Sequence, residues 1–304
     1  MNIVFMGSPD FAIPSLEAIH NSHHNITAVV SNVDKRRGRG SETAPTPVKA
    51  KAVELGLDVI EVEDLKSQEF EEALKNKNAD LFVVVAFRVL PKKILEIPKI
   101  GSVNLHASLL PKYRGAAPIH WAVINGEEKT GCTIFFLDEK VDTGNILLQK
   151  EIEINEDDTT GDVYHRLMQE GSIQLLKAID LIESKDYNLQ SQDHSKATPA
   201  PKLFNDNTRI NFEASATEVH NLIRGLNPFP IAWTTFNGEK VKIFKSKLGP
   251  NANINAGELL EKEGKLLVGC KEGTIEILEL QLPGKKRMNA IDFINGYEVK
   301  ESFK

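Results

Sequence analysis

Asn104 and His106 stand two residues apart and offer a carboxamide and an imidazole. In an extended strand, residues i and i+2 project to one face. The two can therefore meet one reacting group if residues 101–106 form a strand. An Asn side chain brings two N–H donors to a developing oxyanion, and a His moves a proton near neutral pH. Further on, Val141-Asp142-Thr143-Gly144 presents a lone carboxylate in a turn. An Asp beside an imidazole fixes its tautomer and favours the protonated ring. Asn104, His106 and Asp142 are thus candidate catalytic residues for proton transfer and oxyanion stabilisation, chemistry that calls for no metal and no covalent nucleophile. Taken singly, His106 also fits a hydrogen-bonded structural histidine and Asp142 an ordinary turn residue. The rigid stretch from Ser108 through Pro111 to Gly115, closing over the same spot, favours function.

Something must hold these residues at the end of a strand. Apolar runs at 3–5, 26–30, 81–86 and 103–106 read as buried parallel strands. Helical patterns near 15–20, 48–55, 68–75 and 119–125 read as the crossovers between them. This alternation predicts an α/β, doubly wound, mostly parallel sheet, in which ligands sit beyond the C-terminal strand ends. Asn104 and His106 fall at such an end. Gly7-Ser8-Pro9 is not a dinucleotide fingerprint; it reads as a tight turn near a substrate or simply as a structural turn. A long amphipathic helix is expected over 163–183, then a polar, proline-containing linker. Beyond it come a short helix at 216–223 and strands at 232–236, 241–245, 266–270 and 274–280, a small β-domain. The boundaries expected are 1–189 for the catalytic domain, 190–206 for the linker and 207–304 for the C-terminal domain.

Between the second strand and the next helix lies a connection too long for an ordinary strand-to-helix loop. Within it, Lys35, Arg36, Arg37 and Arg39 suit phosphates and the glycines allow unusual backbone shapes; a solvated loop would have the same composition. Bulk properties limit the alternatives. The chain has 304 residues and 41% hydrophobic residues, enough for about two cores. Its two cysteines, Cys132 and Cys270, each sit in an apolar run, which points away from zinc and disulfide frameworks. No signal peptide is read at the start, and no apolar run approaches the ~20 residues of a membrane span. A monomer in the cytoplasm is expected. The net charge of −6 divides into +2 for residues 207–304 and −8 for the rest, which suits selective rather than indiscriminate contact with RNA.

The run from His106 to Ile119, His-Ala-Ser-Leu-Leu-Pro-Lys-Tyr-Arg-Gly-Ala-Ala-Pro-Ile, resembles the signature of the formyltransferases that use 10-formyltetrahydrofolate. Ile3-Val4-Phe5-Met6-Gly7-Ser8-Pro9, Gly38-Arg39-Gly40 with Thr46-Pro47-Val48-Lys49, and Arg224-Gly225-Leu226-Asn227-Pro228 with Pro230 and Trp233 are similar to the branch of that family that acts on methionyl-tRNA. The resemblance implies a Rossmann-like formyltransferase domain followed by an OB-like β-barrel. It also implies 10-formyltetrahydrofolate as co-substrate and initiator methionyl-tRNA as partner, in translation initiation. By the same resemblance the pterin would lie between Phe87 with Leu90 and a second wall of Ser108, Leu109, Leu110 and Pro111. The basic loop, with Lys35, Arg36, Arg37 and Arg39, would reach the acceptor end of the tRNA. The chain departs from the family at Arg88, where glycine is common, and at Ser41 and Glu42, where a basic pair is usual. Lys240, Lys242, Lys245, Lys247 and 285–287 are candidate RNA contacts or simply a solvated strand face.

The implied reaction is direct attack of the α-amine on the formyl carbon through a tetrahedral intermediate. Asn104 would donate to the oxyanion, His106 would shuttle a proton and Asp142 would orient His106. Two other functions fit parts of the sequence: formylation of an amino-sugar nucleotide by the same chemistry, and folate or RNA binding without turnover.

Overall fold

The computed structural model describes residues 1–36, 43–297 and 302–304. In chain order its elements are β1 (Asn2–Gly7), α1 (Ile13–His20), β2 (Asn25–Asn32), β3 (Lys35–Arg36), β4 (Thr43–Ala44), α2 (Pro47–Glu54), β5 (Val59–Val62), α3 (Gln68–Lys75), β6 (Leu81–Val85), α4 (Lys92–Leu95), β7 (Gly101–His106), β8 (Arg114–Gly115), α5 (Pro118–Ile124), β9 (Lys129–Phe136), β10 (Ile146–Glu153), α6 (Thr160–Ser184), β11 (Pro199–Ala200), α7 (Ala216–Gly225), β12 (Ala232–Phe236), β13 (Glu239–Leu248), β14 (Leu259–Lys262), β15 (Lys265–Gly269), β16 (Thr274–Gln281), β17 (Met288–Asn289) and α8 (Ala290–Gly296).

The chain forms two compact units. The first comprises residues 1–115, 131–152 and 164–199; the second comprises 116–130, 153–163 and 200–304. The segment 119–125, expected as a crossover of the sheet, is α5 of the second unit.

The sheet of the first unit runs β10-β9-β7-β6-β1-β2-β5. β5, β2, β1, β6 and β7 are parallel, and β9 is antiparallel to β7. The strand order turns back at β1, placing a switch point between β1 and β6 where ligands bind in open α/β sheets. Ile3, Val4, Phe5 and Met6 are all fully buried, as expected of a strand covered on both faces. Val4, Met6, Phe82 and Val84 share one face with Phe70 and Leu74 of α3. Helix starts follow local chemistry: Thr46 accepts from Lys49 N before Pro47, and Ser67 accepts from Phe70 N. The residues 190–206, expected as a linker, are anchored where they belong to the first unit: Gln190 exchanges backbone hydrogen bonds with Ile146.

In the second unit, β12-β13-β16-β15-β14 make an antiparallel sheet with β17 on β16. The last three residues draw its edges together. Lys304 and Thr235 of β12 exchange backbone hydrogen bonds at 3.0 Å, Phe303 N donates to Gly257 O just before β14, and Ser302 bridges Glu258. This closure makes the sheet barrel-like. Phe303, Phe293, Val241, Ile243, Ile277 and Val219 of α7 fill it. The α7 start is a capping box, with Ser215 accepting from Glu218 N and Glu218 from Ser215 N.

Candidate active site

Asn104 and His106 lie in β7, two residues apart and thus on one face. Among the described residues, none hydrogen-bonds the half-buried Asn104 carboxamide, so its donors are available to an oxygen from outside. His106 is 6% exposed, and its Nε2 lies 2.9 Å from the Tyr113 carbonyl. A carbonyl only accepts, so Nε2 carries the proton and donates. Nδ1 is left bare, facing Asp142 Oδ2 at 3.8 Å. That separation is too long for a hydrogen bond. A proton arriving on Nδ1 would find a carboxylate waiting.

Asp142 takes its place through backbone chemistry. Its φ is +55°, and its Oδ2 accepts from Gly115 N at 2.9 Å. Gly144 follows because nothing larger fits: a Cβ there would stand 1.8 Å from the Phe136 carbonyl oxygen. From the other side, Gln192 Nε2 donates to Asp142 O at 3.1 Å and to Gly144 O at 2.8 Å. Its Oε1 accepts from Arg114 Nε and Nη2. Gln192 is buried and ties the Asp142 turn to the Arg114 loop, yet it falls in the segment the sequence marks as a linker. Thr198 acts alongside it, accepting from Tyr113 N through Oγ1 and from Arg114 N through its carbonyl. Tyr113 itself has a φ of +60°. A polar residue between short turn motifs carries no pattern that distinguishes such a clamp.

The turn after β7 is held rigidly. Thr133 Oγ1 donates to Ser108 O and accepts from Leu110 N, while Gln149 Nε2 donates to Leu110 O. The Ser108 hydroxyl donates to Lys112 O at 2.6 Å, and Leu110 packs with Phe135 and Ile146. Leu109 lies against Gly131, and Pro111 is partly exposed. Ser108 and Leu110 thus spend their side chains on the turn, leaving its backbone, Leu109 and Pro111 as the wall. Across the strand ends, Leu90 is buried in the sheet core with Phe87 packed against it. Arg88 turns to the end of β5, donating to Val62 O and Glu63 O at 2.7 Å each, with its guanidinium carbon 5.5 Å from the Phe87 ring centre.

A cavity of about 360 Å³ opens beyond β1 and β2, lined by Ser8, Pro9, Asp10, Asn32, Val33, Ala44, Thr46 and Pro47. Hydroxyls run along its floor: Thr46 Oγ1 to Ser31 Oγ at 2.6 Å, and Ser31 Oγ to Gly7 O at 2.8 Å, with Asn32 Nδ2 donating to Ser8 Oγ at 2.7 Å. Gly7 is required, since a Cβ there would meet Ala12 Cβ at 2.9 Å. Beside this cavity β3 pairs with β4, Lys35 opposite Ala44 and Arg36 opposite Thr43. Arg37 and Arg39, with Ser41 and Glu42, lie outside the described residues.

Both thiols are unsuited to nucleophilic work. Burial pushes Cys132 up to about 12 and Cys270 up to about 11, so each stays protonated at neutral pH. In the second unit, Arg224 is a buried staple: Nε donates to Asn221 Oδ1 at 2.8 Å and Nη1 to Asp158 O at 2.9 Å. Gly225 meets Ile124 so closely that a Cβ would lie 2.5 Å from its Cγ1. Of the candidate RNA contacts, Lys240 lies 4.2 Å over Trp233, Lys247 pairs with Glu276 at 3.4 Å, and Arg287 pairs with Glu279. Lys242 and Lys245 are exposed on β13. Among the described residues, no helix is long and apolar enough to cross a membrane.

The family model described as "Formyl transferase" matches residues 1–179, and the model "Formyl transferase, C-terminal domain" matches 202–298. A methionyl-tRNA formyltransferase of Natranaerobius thermophilus is 41% identical over 99% of this chain and 98% of its own. One from Chlorobium limicola is 44% identical over 99% and 97%. Among solved structures, an N-formyltransferase of Helicobacter canadensis in complex with folinic acid and dTDP-3-aminofucose superposes with a TM-score of 0.69 at 27% identity, over 90% of this chain and 98% of that one. HypX of Aquifex aeolicus in complex with tetrahydrofolic acid shares the fold, with a TM-score of 0.64 at 17% identity over 99% of this chain and 50% of its own.

Proposed function

Since the chain belongs to the formyl transferase family, we propose that it moves the formyl group of 10-formyltetrahydrofolate onto the α-amine of initiator methionyl-tRNA. The observation that carries the mechanism is the bare His106 Nδ1 held 3.8 Å from Asp142, on the face of β7 that also presents Asn104. The neutral amine nitrogen attacks the formyl carbon and a C–N bond forms. The carbonyl electron pair moves onto oxygen, where Asn104 donates to the oxyanion. The attacking nitrogen gives up a proton to His106 Nδ1, and the Asp142 carboxylate opposite stabilises the imidazolium that forms. Collapse of the intermediate breaks the bond to folate N10, which receives that proton from the imidazolium. No atom is left over, and the enzyme returns to its starting state.

Folate specificity is proposed to rest on Phe87 and Leu90 on one side, and on Leu109, Pro111 and the backbone of Ser108 and Leu110 on the other. Flat apolar walls with a few fixed polar groups suit a heteroaromatic ring. Lys35, Arg36, Arg37 and Arg39 are proposed to meet the tRNA phosphates, in a cytoplasmic enzyme acting as a monomer. Full-length relatives at 41–44% identity support tRNA as acceptor. The test supplies 10-formyltetrahydrofolate with either methionyl initiator tRNA or a dTDP-amino sugar. N-formylmethionine after deacylation is expected with the first and no product with the second. Turnover of the sugar alone would reverse the assignment, and folate binding with no transfer to either would indicate a binding protein.

A further inference from the structure

At the N-terminal edge of the parallel sheet, far along β1 and β2 from the strand ends of the candidate site, four metal-ligating side chains gather. His23 and His24 precede β2, and Asp180 and Glu183 stand three apart near the end of α6. His23 Nε2 lies 2.6 Å from Glu183 Oε2 and 4.0 Å from Asp180 Oδ1; His24 Nε2 lies 3.0 Å from Asp180 Oδ1. Donor atoms of His23, His24 and Glu183 all lie within 4.8 Å of one another. We infer that His23, His24, Glu183 and Asp180 bind a divalent first-row transition ion, with Zn²⁺ as the ion to test.

Ligand bonds of about 2.0–2.2 Å in a tetrahedral site put donors roughly 3.3–3.6 Å apart. Spacings of 2.6 Å for His23 to Glu183 and 3.8 Å for His24 to Glu183 straddle that range, while Asp180, outside the group whose donors all lie within 4.8 Å of one another, swings in to complete the set. Two imidazoles and two carboxylates form a mixed nitrogen and oxygen set that suits zinc, nickel or copper better than calcium or magnesium. Two carboxylate charges also match the charge of the ion. The site is half preformed: the His24 side chain is fully buried, while that of His23 is 63% exposed and leaves a path for the ion. The Met1 ammonium bonds Glu183 Oε1 at 2.8 Å and fixes the carboxylate in place. Oε2 stays directed at His23. Coordination through His24 Nε2 leaves the ring proton on Nδ1, so the 3.3 Å approach of the Met1 nitrogen to Nδ1 is the contact that loosens. The sequence concealed this group because 156 residues separate His24 from Asp180. Its expected effect is structural, tying the 21–24 turn to α6, and it is independent of the reaction proposed above.

The experiment uses the full chain without a polyhistidine tag, stripped with chelator and titrated with ZnSO₄ against a chromogenic zinc chelator. One equivalent is expected to bind with micromolar or tighter affinity. His23→Ala and Glu183→Gln should each weaken it at least tenfold while circular dichroism stays unchanged, and His165→Ala, which removes an exposed histidine elsewhere, should leave it intact. Thermal melting should show a zinc-dependent rise in Tm that both cluster variants lose. No saturable stoichiometric binding, or equal affinity in His23→Ala and Glu183→Gln, overturns the inference and leaves the cluster as ion pairs alone.

Discussion

Gln192→Ala is the sharpest perturbation of the candidate site, because it touches none of the proposed reacting groups. The substitution strips the donor from two carbonyls, those of Asp142 and Gly144, and the acceptor from the Arg114 guanidinium. At ~1 kcal/mol for each neutral bond and ~1.5–3 kcal/mol for the forked contact that Arg114 Nε and Nη2 share on one acceptor, about 3.5–5 kcal/mol of local stability is lost. The Asp142 turn adopts a left-handed φ of +55°, which the chain tolerates only while its surroundings hold it. Freed of Gln192, the turn relaxes and its carboxylate moves. A misplacement of ~1 Å costs about 10²-fold in rate. The expected result in a single-turnover formyl-transfer assay is therefore a kcat reduced by about 10²-fold, with KM for the folate changed far less. Gln192→Glu separates the two halves of the clamp. It keeps an acceptor for Arg114 but turns the donors into an oxygen facing two carbonyls, so it should be as slow as Gln192→Ala. A folded Gln192→Ala protein that retains kcat within threefold would refute the claim that this clamp positions Asp142.

Other outcomes follow from the same geometry. Asn104→Ala should fold normally and lose about 10²–10³-fold in kcat, the usual cost of one oxyanion donor; Asp142→Asn keeps an acceptor for Gly115 N and should melt near the wild type while barely turning over. Arg88→Ala should lower Tm, because Val62 and Glu63 carbonyls lose their partner, and leave the folate KM within about twofold; a large rise in KM would place this arginine in the pocket after all. Burial lowers the pKa of His220, which pairs through Nδ1 with the Ser246 hydroxyl. The unfolded chain therefore binds a proton below pH ~6.5 that the folded chain resists, and stability falls as pH drops from there until the folded pKa is reached. His220→Asn should flatten that part of a Tm–pH curve, and an unchanged slope would contradict the assignment.

The parts of the molecule written in local pattern were legible in the sequence. Ile3 to Met6 are apolar at every position, which requires a strand covered on both faces, and the i, i+2 spacing of Asn104 and His106 put them on one side of β7. The sequence did not delimit β9 or the edge strand β10. β9 is apolar without a break only over 134–136, a run too short to tell helix from strand, and β10 mixes apolar and charged residues. Whatever depends on contacts distant along the chain was hidden. Asp142 was expected beside His106, but at 3.8 Å it makes no hydrogen bond, and the Tyr113 carbonyl sets the imidazole tautomer instead; Gln192 was indistinguishable from linker. Arg88 showed in the sequence only as a departure from the family, and the two carbonyls at the end of β5 that hold it lie 25–26 residues earlier. Arg224, read as part of a family motif, proved to be a buried staple whose backbone-carbonyl partners lie 66–69 residues earlier.

That staple has a bearing on how the molecule can be dissected. Cutting at residue 200, where the two sequence models nearly meet, would sever the second unit from its own pieces. A fragment beginning there keeps α7 and the antiparallel strands but loses Asp158, Ile124 and Thr160. Its Arg224 charge would be left in an apolar setting without the Asp158 carbonyl. Gly225, whose missing side chain exists to admit Ile124, would face a void. Such a fragment should be soluble only when α5 and residues 153–163 are grafted back, so the tail third of this protein was never a separable module in the physical sense, whatever its sequence boundaries suggest.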